Sequence, residues 1–342
     1  SHVDAANWQT TPVRRYVRRA VDNFTEAAAV KGPGSFADFG TRVFDQLWGA
    51  FRMMEIRHAV GSSAGTLCLV SSRTSNVAVV AKDGYGHASC NPLLMIEEGM
   101  VIAWLDSSSA NAAAGAAKVS SLAYSTNTIT VDSSSTWEPS ATTAANDIIV
   151  AATTNNIATD YFATERNNAK NGMIDIVDPA AASSTVFNIA EGTYPRWKPY
   201  RKASSTFDHI EVTEWVRKHA AKSTFPVSPS SHTMVAHPAI VAELARSLVG
   251  FQQQQQLGKT LEGGYQTIRI AGWDIAEDEY QLQNVLYNVC NEDLYTISLV
   301  EAGYFDEDGS MYERISDFDG KEFYVRDYCN SFSPRRNRHG AL

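Results

Sequence analysis

SFADFGTRVFDQLWGAFRMMEIRHAVGSSAG, residues 35–65, is the stretch from which the rest of the chain is read. Phe36, Phe39, Val43, Leu47, Phe51 and Met54 recur three or four residues apart, the period of a helix with one apolar stripe. Ser35 with Asp38 three places on resembles a capping box, and Gly61 ends the run, so one helix is expected over 36–59. At 1.5 Å per residue it would span about 36 Å. Phe44 and Trp48 widen the stripe, so the helix is expected to pack on more than one neighbour. Its last residues, Gly61-Ser62-Ser63-Ala64-Gly65, match the GxSxG nucleophile elbow letter for letter. An elbow needs a strand before its serine and a helix after it. Here the helix precedes and strand-like Thr66–Val70 follows, so the motif reads as a helix-ending loop.

Towards the N-terminus, residues 1–35 read as an arm that holds no core of its own. Arg14, Arg15, Arg18 and Arg19 interleave with Val13, Val17 and Val21, and that spacing of four favours a short helix with Thr11-Pro12 at its start. Lys31-Gly32-Pro33-Gly34 ends the arm in a turn.

Beyond the loop, strand-like runs stand at Thr66–Val70, Val77–Ala81, Met100–Leu105, Thr128–Val131 and Asp147–Ala152. Between Ser107 and Asp160, 32 of 54 residues are Ala, Ser or Thr, which suggests a linker. Ile102, Trp104, Val119, Leu122, Ile129, Val131, Ile148 and Val150 nevertheless offer inward-facing residues, so 84–160 is read as a small inserted β-rich module. Ile210, Val212, Trp215, Val216 and His219 then fit one amphipathic helix, and Pro238–Val249 a second. Strands are expected at Thr267–Ile270, Gly272–Ile275, Leu294–Val300, Ser310–Ile315 and Glu322–Arg326, with Asp308-Gly309 and Asp319-Gly320 as hairpin turns.

A chain of 342 residues buries a core without metals or disulfides. The longest apolar run, Met100–Leu105, is six residues, far below the roughly 20 of a membrane span. Ser1-His2-Val3-Asp4 carries no secretory pattern, so export is not expected. Cys68, Cys90, Cys290 and Cys329 lie far apart with no CxxC, which favours reduced thiols over a metal site. The net charge of −9 argues against a dedicated DNA-binding protein, yet thirteen acids fall within Asp274–Asp319 against Arg314 alone. Leu257-Gly258-Lys259-Thr260 lacks the first glycine of a phosphate loop, since Gln253 stands there. Gly84-Tyr85-Gly86 lacks its third glycine, and Asp306-Glu307-Asp308-Gly309 lacks the acid an EF-hand needs at Tyr304. The eight histidines are scattered, and His237 after Met234-Val235-Ala236 reads as structural. No catalytic residue, cofactor site or metal site is therefore assigned.

The order of these elements resembles the major capsid proteins of tailed bacteriophages with the HK97-type fold. The residues that carry the likeness are the arm, the long helix ending at Gly61–Gly65, Gly172-Met173-Ile174-Asp175-Ile176-Val177 and Pro195-Arg196-Trp197-Lys198-Pro199. Thr233-Met234-Val235-Ala236-His237-Pro238, Ile270-Ala271-Gly272-Trp273-Asp274-Ile275, Asp306–Ser310 and Arg336-Asn337-Arg338-His339-Gly340 add to it. The resemblance implies an α+β HK97-like fold. Residues 1–35 would be arm and extended loop, 36–83 spine helix and peripheral strands, and 84–160 the insertion. Residues 161–204 would be peripheral domain, 205–300 mostly axial domain, and 301–342 peripheral hairpins and C-terminal segment.

The same resemblance implies a virion shell subunit that assembles with copies of itself, as pentamers and hexamers, in the bacterial host cytoplasm. Further implied partners are a separate scaffolding protein, portal and decoration proteins, and packaged DNA contacted non-specifically, but no membrane. With 35 residues before the spine helix, a built-in scaffolding segment is not expected. Some relatives crosslink a loop lysine to a distant asparagine; Lys31 is the candidate lysine, and no partner asparagine is assigned. Arg14, Arg15, Arg18 and Arg19 are expected to be solvated in the lone subunit and to meet acids of a neighbour, from the 274–319 set. A cellular nanocompartment shell shares the fold. Rival classes are a serine-type hydrolase using Ser63 and a carbohydrate-binding β protein using Trp104 and Trp137.

Overall fold

The computed structural model describes residues 10–22, 35–83, 93–105, 113–132, 147–152, 169–177, 185–204, 206–223, 225–249, 267–270, 272–304, 313–314 and 319–342. The chain begins with β1 (Val13–Asp22), α1 (Ser35–Val60), β2 (Thr66–Thr74), β3 (Val77–Asp83), β4 (Val101–Leu105), β5 (Ala113–Ala123), β6 (Thr128–Val131) and β7 (Asp147–Ala151). Next come α2 (Met173–Val177), β8 (Thr185–Val186), β9 (Ile189–Ala190), β10 (Tyr200–Arg201), α3 (His209–Lys222), β11 (His232–Ala236) and α4 (Pro238–Val249). The last strands are β12 (Thr267–Ile270), β13 (Trp273–Glu277), β14 (Leu286–Cys290), β15 (Tyr295–Tyr304), β16 (Glu313–Arg314), β17 (Gly320–Phe332) and β18 (Gly340–Ala341).

The start and end of the chain share one sheet. β1 lies antiparallel on β17 from Val13 opposite Cys329 to Asp22 opposite Gly320, and β15 and β16 pair with the other border of β17. This overturns the helix expected at Val13–Val21. A spacing of four is also a multiple of two, so Val13, Val17 and Val21 fall on one face of a strand as readily as on one stripe of a helix. Pairing along all of β1 decides between them, because every ladder bond satisfies backbone that a short exposed helix would leave frayed.

α1 crosses this sheet. Val43, Leu47, Phe51 and Met54 pack with Val21 and Val325, as the apolar stripe predicts. Phe44 meets Tyr304 and Phe323 edge-on at 4.8 and 5.5 Å, and Trp48 meets Tyr304 at 5.8 Å, so the widened stripe reaches both β15 and β17. At the helix end, Gly172 sits where an added Cβ would lie 2.2 Å from the His58 carbonyl oxygen and 2.3 Å from that of Gly61. Only glycine lets residues 169–177 approach the helix that closely.

β2, β3, β6, β5, β4 and β7 close into a barrel in that order. The expected insertion boundary at 84 therefore cuts the module: β2 pairs with both β3 and β7, so closure requires Thr66–Asp83 as well. Ile102, Trp104, Val119, Ile129 and Val131 fill the interior as expected, with Leu122 against them. The register of β7 differs from expectation, since Ile149 points into that core. Val150 instead joins Ala103, Leu105 and Ala116 in a separate cluster, with Ile148 packed against it. β5, rich in Ala and Ser, carried too weak an apolar alternation to be read as a strand.

The second large sheet runs β10-β18-β14-β11-β13-β12. Val212 and Trp215 of α3, with Ile240, Val241 and Leu244 of α4, pack there with Met234, Ile275 and Leu286. β14, Leu286-Tyr287-Asn288-Val289-Cys290 with every residue buried, was not foreseen, because burial on both faces leaves no apolar–polar alternation to read. Ile210, expected inward, is 59% exposed. The expected 205–300 unit also takes β10 and β18 from outside those limits, while β15 within them belongs to the first sheet. The expected turn at Asp308-Gly309 lies outside the described residues.

Candidate assembly surface

The N-terminal strand β1 is locked onto the rest of its own chain by an ion cluster centred on buried Arg15. Arg15 is 3% exposed, on the same face of β1 as the valines, and pairs with Asp327 of β17 and Glu55 of α1. Its guanidinium also donates to Cys329 Sγ at 2.9 Å and lies 5.9 Å from the Phe51 ring centre. Lys170 Nζ reaches Glu55 Oε2 at 3.2 Å, so two cations meet two carboxylates. Burial pushes the Cys329 thiol up to about 11, aided by its hydrogen bond to Asp327. Asn330 Nδ2 donates to the Thr11 carbonyl at 2.8 Å, and Asn330 Oδ1 accepts from Asn171 N–H at 2.9 Å. The expectation that all four arm arginines are solvated in the lone subunit thus fails for Arg15. Its parity with the valines was the available signal. Arg14 is exposed on the opposite face, Arg18 lies 3.5 Å from Glu322, and Arg19 donates to Gln46 of α1. Lys31 lies outside the described residues.

The C-terminal segment closes the structure in a comparable way. Arg336 is wholly buried, stacks 4.7 Å from the Trp197 ring centre, donates to the Ile176 carbonyl at 2.9 Å and pairs with Glu191. Arg338 Nη1 reaches Asp293 Oδ2 at 2.9 Å, and Arg335 Nε donates to Asp293 Oδ1 at 2.7 Å. Between these arginines His339 accepts from Cys290 N–H at 3.0 Å through Nδ1, so Nε2 carries the proton toward Ser333 Oγ at 2.9 Å. His232 Nε2 donates to the Arg338 carbonyl at 3.0 Å, and Asn288 Nδ2 lies 3.3 Å from His219 Nδ1. Burial, then the neighbouring imidazoles, pulls His339 down to about 3. Burial and His232 take His219 to about 4, and burial lowers His232 as well. Three of the eight scattered histidines, His219, His232 and His339, therefore converge on the Arg336–Gly340 motif, and burial favours their neutral forms there. Gly340 fits closely here, because an added Cβ would lie 3.1 Å from the His219 and Trp215 side chains, which would have to give way. His237 Nδ1 accepts from Ala239 N–H at 3.1 Å at the start of α4, a structural use.

The rival sites dissolve in this geometry. Ser63 lies in the loop between α1 and β2, and its N–H donates to Asp175 Oδ2 at 2.6 Å, so strand and helix are reversed from an elbow. Burial raises that Asp175 carboxyl. Trp104 is fully buried with Nε1 donating to Asp147 Oδ2 at 3.1 Å, so no glycan can stack on it; Trp137 lies outside the described residues. Cys68, Cys290 and Cys329 are buried free thiols.

Exposure concentrates elsewhere. Leu294, Tyr295 and Leu299 are 38%, 46% and 73% exposed and fall within six consecutive residues at the start of β15. Among the described residues β15 pairs only with β17, so no described strand covers its outer border.

No family model and no curated protein matches the chain. Among solved structures it is similar to the cyanophage A-1(L) capsid asymmetric unit, with 16% identity and a TM-score of 0.40, covering 52% of this chain and 60% of that one. It is also similar to the satellite phage P4 procapsid that includes the size determination protein, with 8% identity and a TM-score of 0.38 over 100% and 75%. The encapsulin SrpI complex of Synechococcus elongatus gives 14% identity and a TM-score of 0.32 over 42% and 52%. The chain thus spans 60% and 52% of the cyanophage and encapsulin chains.

Proposed function

We propose that this chain is a structural subunit that assembles with copies of itself into the icosahedral head shell of a tailed bacteriophage and encloses its packaged double-stranded DNA. The observation that carries the reading is the β15 edge, unpaired among the described residues, with Leu294, Tyr295 and Leu299 exposed on or beside it. A long apolar edge is a liability in a lone protein and an asset in a subunit, since unpaired backbone and apolar side chains together template a neighbour. The order of elements supports the type of shell: arm strand, a 26-residue helix across a sheet, and a second sheet flanked by two helices. Pentamers and hexamers of this chain would be its main partners, formed in the host cytoplasm, with scaffolding, portal and decoration proteins joining the head. The barrel, at 66–151, would be a module carried on the shell.

Electron micrographs of the purified chain test the proposal directly, with closed shells expected. Leu299→Lys, which puts a charge on the exposed edge without touching a core, should leave a folded monomer and no shells. A wild-type chain that stays monodisperse and monomeric at every concentration would overturn the assignment.

A further inference from the structure

Segment 333–342, which follows β17, is held less by strand length than by polar groups. β18 offers two residues to β14 and two to β10, and among the described residues β10 joins the second sheet only through β18. Three buried imidazoles from distant parts of the chain meet at this segment: His339 within it, His219 of α3 and His232 of β11. The rings of His219 and His232 lie 6.3 Å apart. Their contacts suit neutral rings. Cys290 N–H points at His339 Nδ1, so a proton there would set two donors face to face. His219 Nδ1 lies 3.3 Å from Asn288 Nδ2, and its ring fills the space beside Gly340. His232 reaches the segment through the Arg338 carbonyl, with Ser231 Oγ 2.7 Å from its other nitrogen.

The surroundings are already cationic. His339 faces Arg336 and Arg338 of its own segment as well as the other two histidines. His219 faces His232 and Lys222 of α3, with the Tyr200 ring of β10 stacked at 6.1 Å. His232 faces Arg338 and, between β14 and β15, Glu292. Cys290 of β14, beside Arg338 and Asp293, is a thiol that burial pushes up and so keeps uncharged. Among the described residues the acids of this cluster are each already paired with arginine: Glu191 with Arg336, Asp293 with Arg335 and Arg338, and Glu292 with Arg338. A protonated imidazole therefore adds a buried charge next to guanidinium groups, and only moving the segment away returns water to it.

We infer that segment 333–342 is an acid-released latch: protons taken up by His219, His232 and His339 open it as a local unit while the barrel stays closed. Opening is local because the barrel core, built on Ile102, Trp104, Ile129 and Ile149, contains none of these imidazoles and the barrel shares no strand with the second sheet. β10 loses its partner when β18 leaves. Arg336 leaves as well, giving up the Trp197 ring, Glu191 and the carbonyls of Asp175 and Ile176. Asp175 in turn accepts the Ser63 N–H in the loop that ends α1, so the latch reaches from the histidines to the end of the long helix. Charging a buried histidine cluster is an established way to bias such a two-state element. Every contact involved lies within one chain, so the inference stands apart from the shell reading.

Amide hydrogen exchange of the full chain at about pH 7.5 and about pH 5, corrected for the intrinsic effect of pH, tests the latch. An imidazole kept neutral in the closed form and free to charge in the open one shifts opening by about 30-fold over that interval, so opening of 333–342 should rise by about 100-fold or more. Amides of β4 and β7 in the barrel should change by less than about threefold. An equal rise in the barrel would mean global unfolding and overturn the latch, and no rise in 333–342 would overturn it too. His339→Asn keeps an acceptor for the Cys290 N–H and takes up no proton, so the rise should shrink by about 10-fold or more. A rise as large as that of wild type would overturn the assignment to these imidazoles. Should that variant lose its melting transition, His232→Gln, which keeps a donor for the Arg338 carbonyl, is read in the same two ways.

Discussion

Acid should unfold this chain through three buried histidines. His219, His232 and His339 lie together beside Arg336 and Arg338, and Asn288, Cys290 and Ser333 supply the remaining hydrogen-bond partners. The unfolded chain takes up these protons near the ordinary 6.5, whereas the folded chain binds them only near 4 at His219 and 3 at His339. Their contribution is therefore fully present above about pH 6.5 and is lost as the pH falls below it, because the unfolded state binds more protons there. From about pH 7.5 to about pH 5 each of the two groups costs about 2 kcal/mol, some 4 kcal/mol together. His232 adds in the same direction. That is a large part of the roughly 5–15 kcal/mol by which domains are stable. Asp175 works in the opposite sense, since burial raises its carboxyl and folding then favours its proton. Urea unfolding of the isolated chain, followed by tryptophan fluorescence at the two pH values, measures the net loss, and Asp175→Asn should enlarge it. A loss below about 1 kcal/mol, or a His339 imidazole that titrates near its ordinary value by NMR, would refute the reasoning.

Arg15→Ser leaves the buried Asp327 without its cation, while Glu55 keeps Lys170, and should cost about 3–5 kcal/mol, whereas Arg14→Ser should stay within about 0.5 kcal/mol; thermal melts of the two variants check the contrast. Gly172→Ala forces a methyl into the His58 and Gly61 carbonyls and should destabilise by about 3 kcal/mol or more, read from the shift in the urea midpoint. Arg336→Lys keeps the charge but loses the stack on Trp197 and the fork between Ile176 and Glu191. It should cost about 2 kcal/mol by the same measurement, and an unchanged midpoint would show that the fork is dispensable.

Residues 35–60 could be read as a helix from the sequence because six apolar positions over five turns leave one period standing. α3, α4 and the barrel strands with clean alternation were legible for the same reason: a local period reports which face is buried before anything is known of what buries it. Local periodicity is silent where two periods coincide or where none exists. Val13, Val17 and Val21 satisfy helix and strand alike, and only the ladder to β17, some three hundred residues on, made Arg15 an inward residue and a structural cation. Asp147-Ile148-Ile149-Val150 is apolar on both sides of a strand, so which isoleucine enters the barrel was decided by pairing with β2 and β4. His219, His232 and His339 carry no mutual spacing at all; their neutrality and the close fit of Gly340 arise from three distant segments packed into one buried cluster. Cross-strand neighbours have the same origin: Arg14, Tyr16 and Arg18 alternate visibly, while Tyr328, Arg326 and Tyr324 come to stand opposite them only through register. Chain order and charge are properties of the polymer, but which side chains share a surface is a property of the register that tertiary pairing selects.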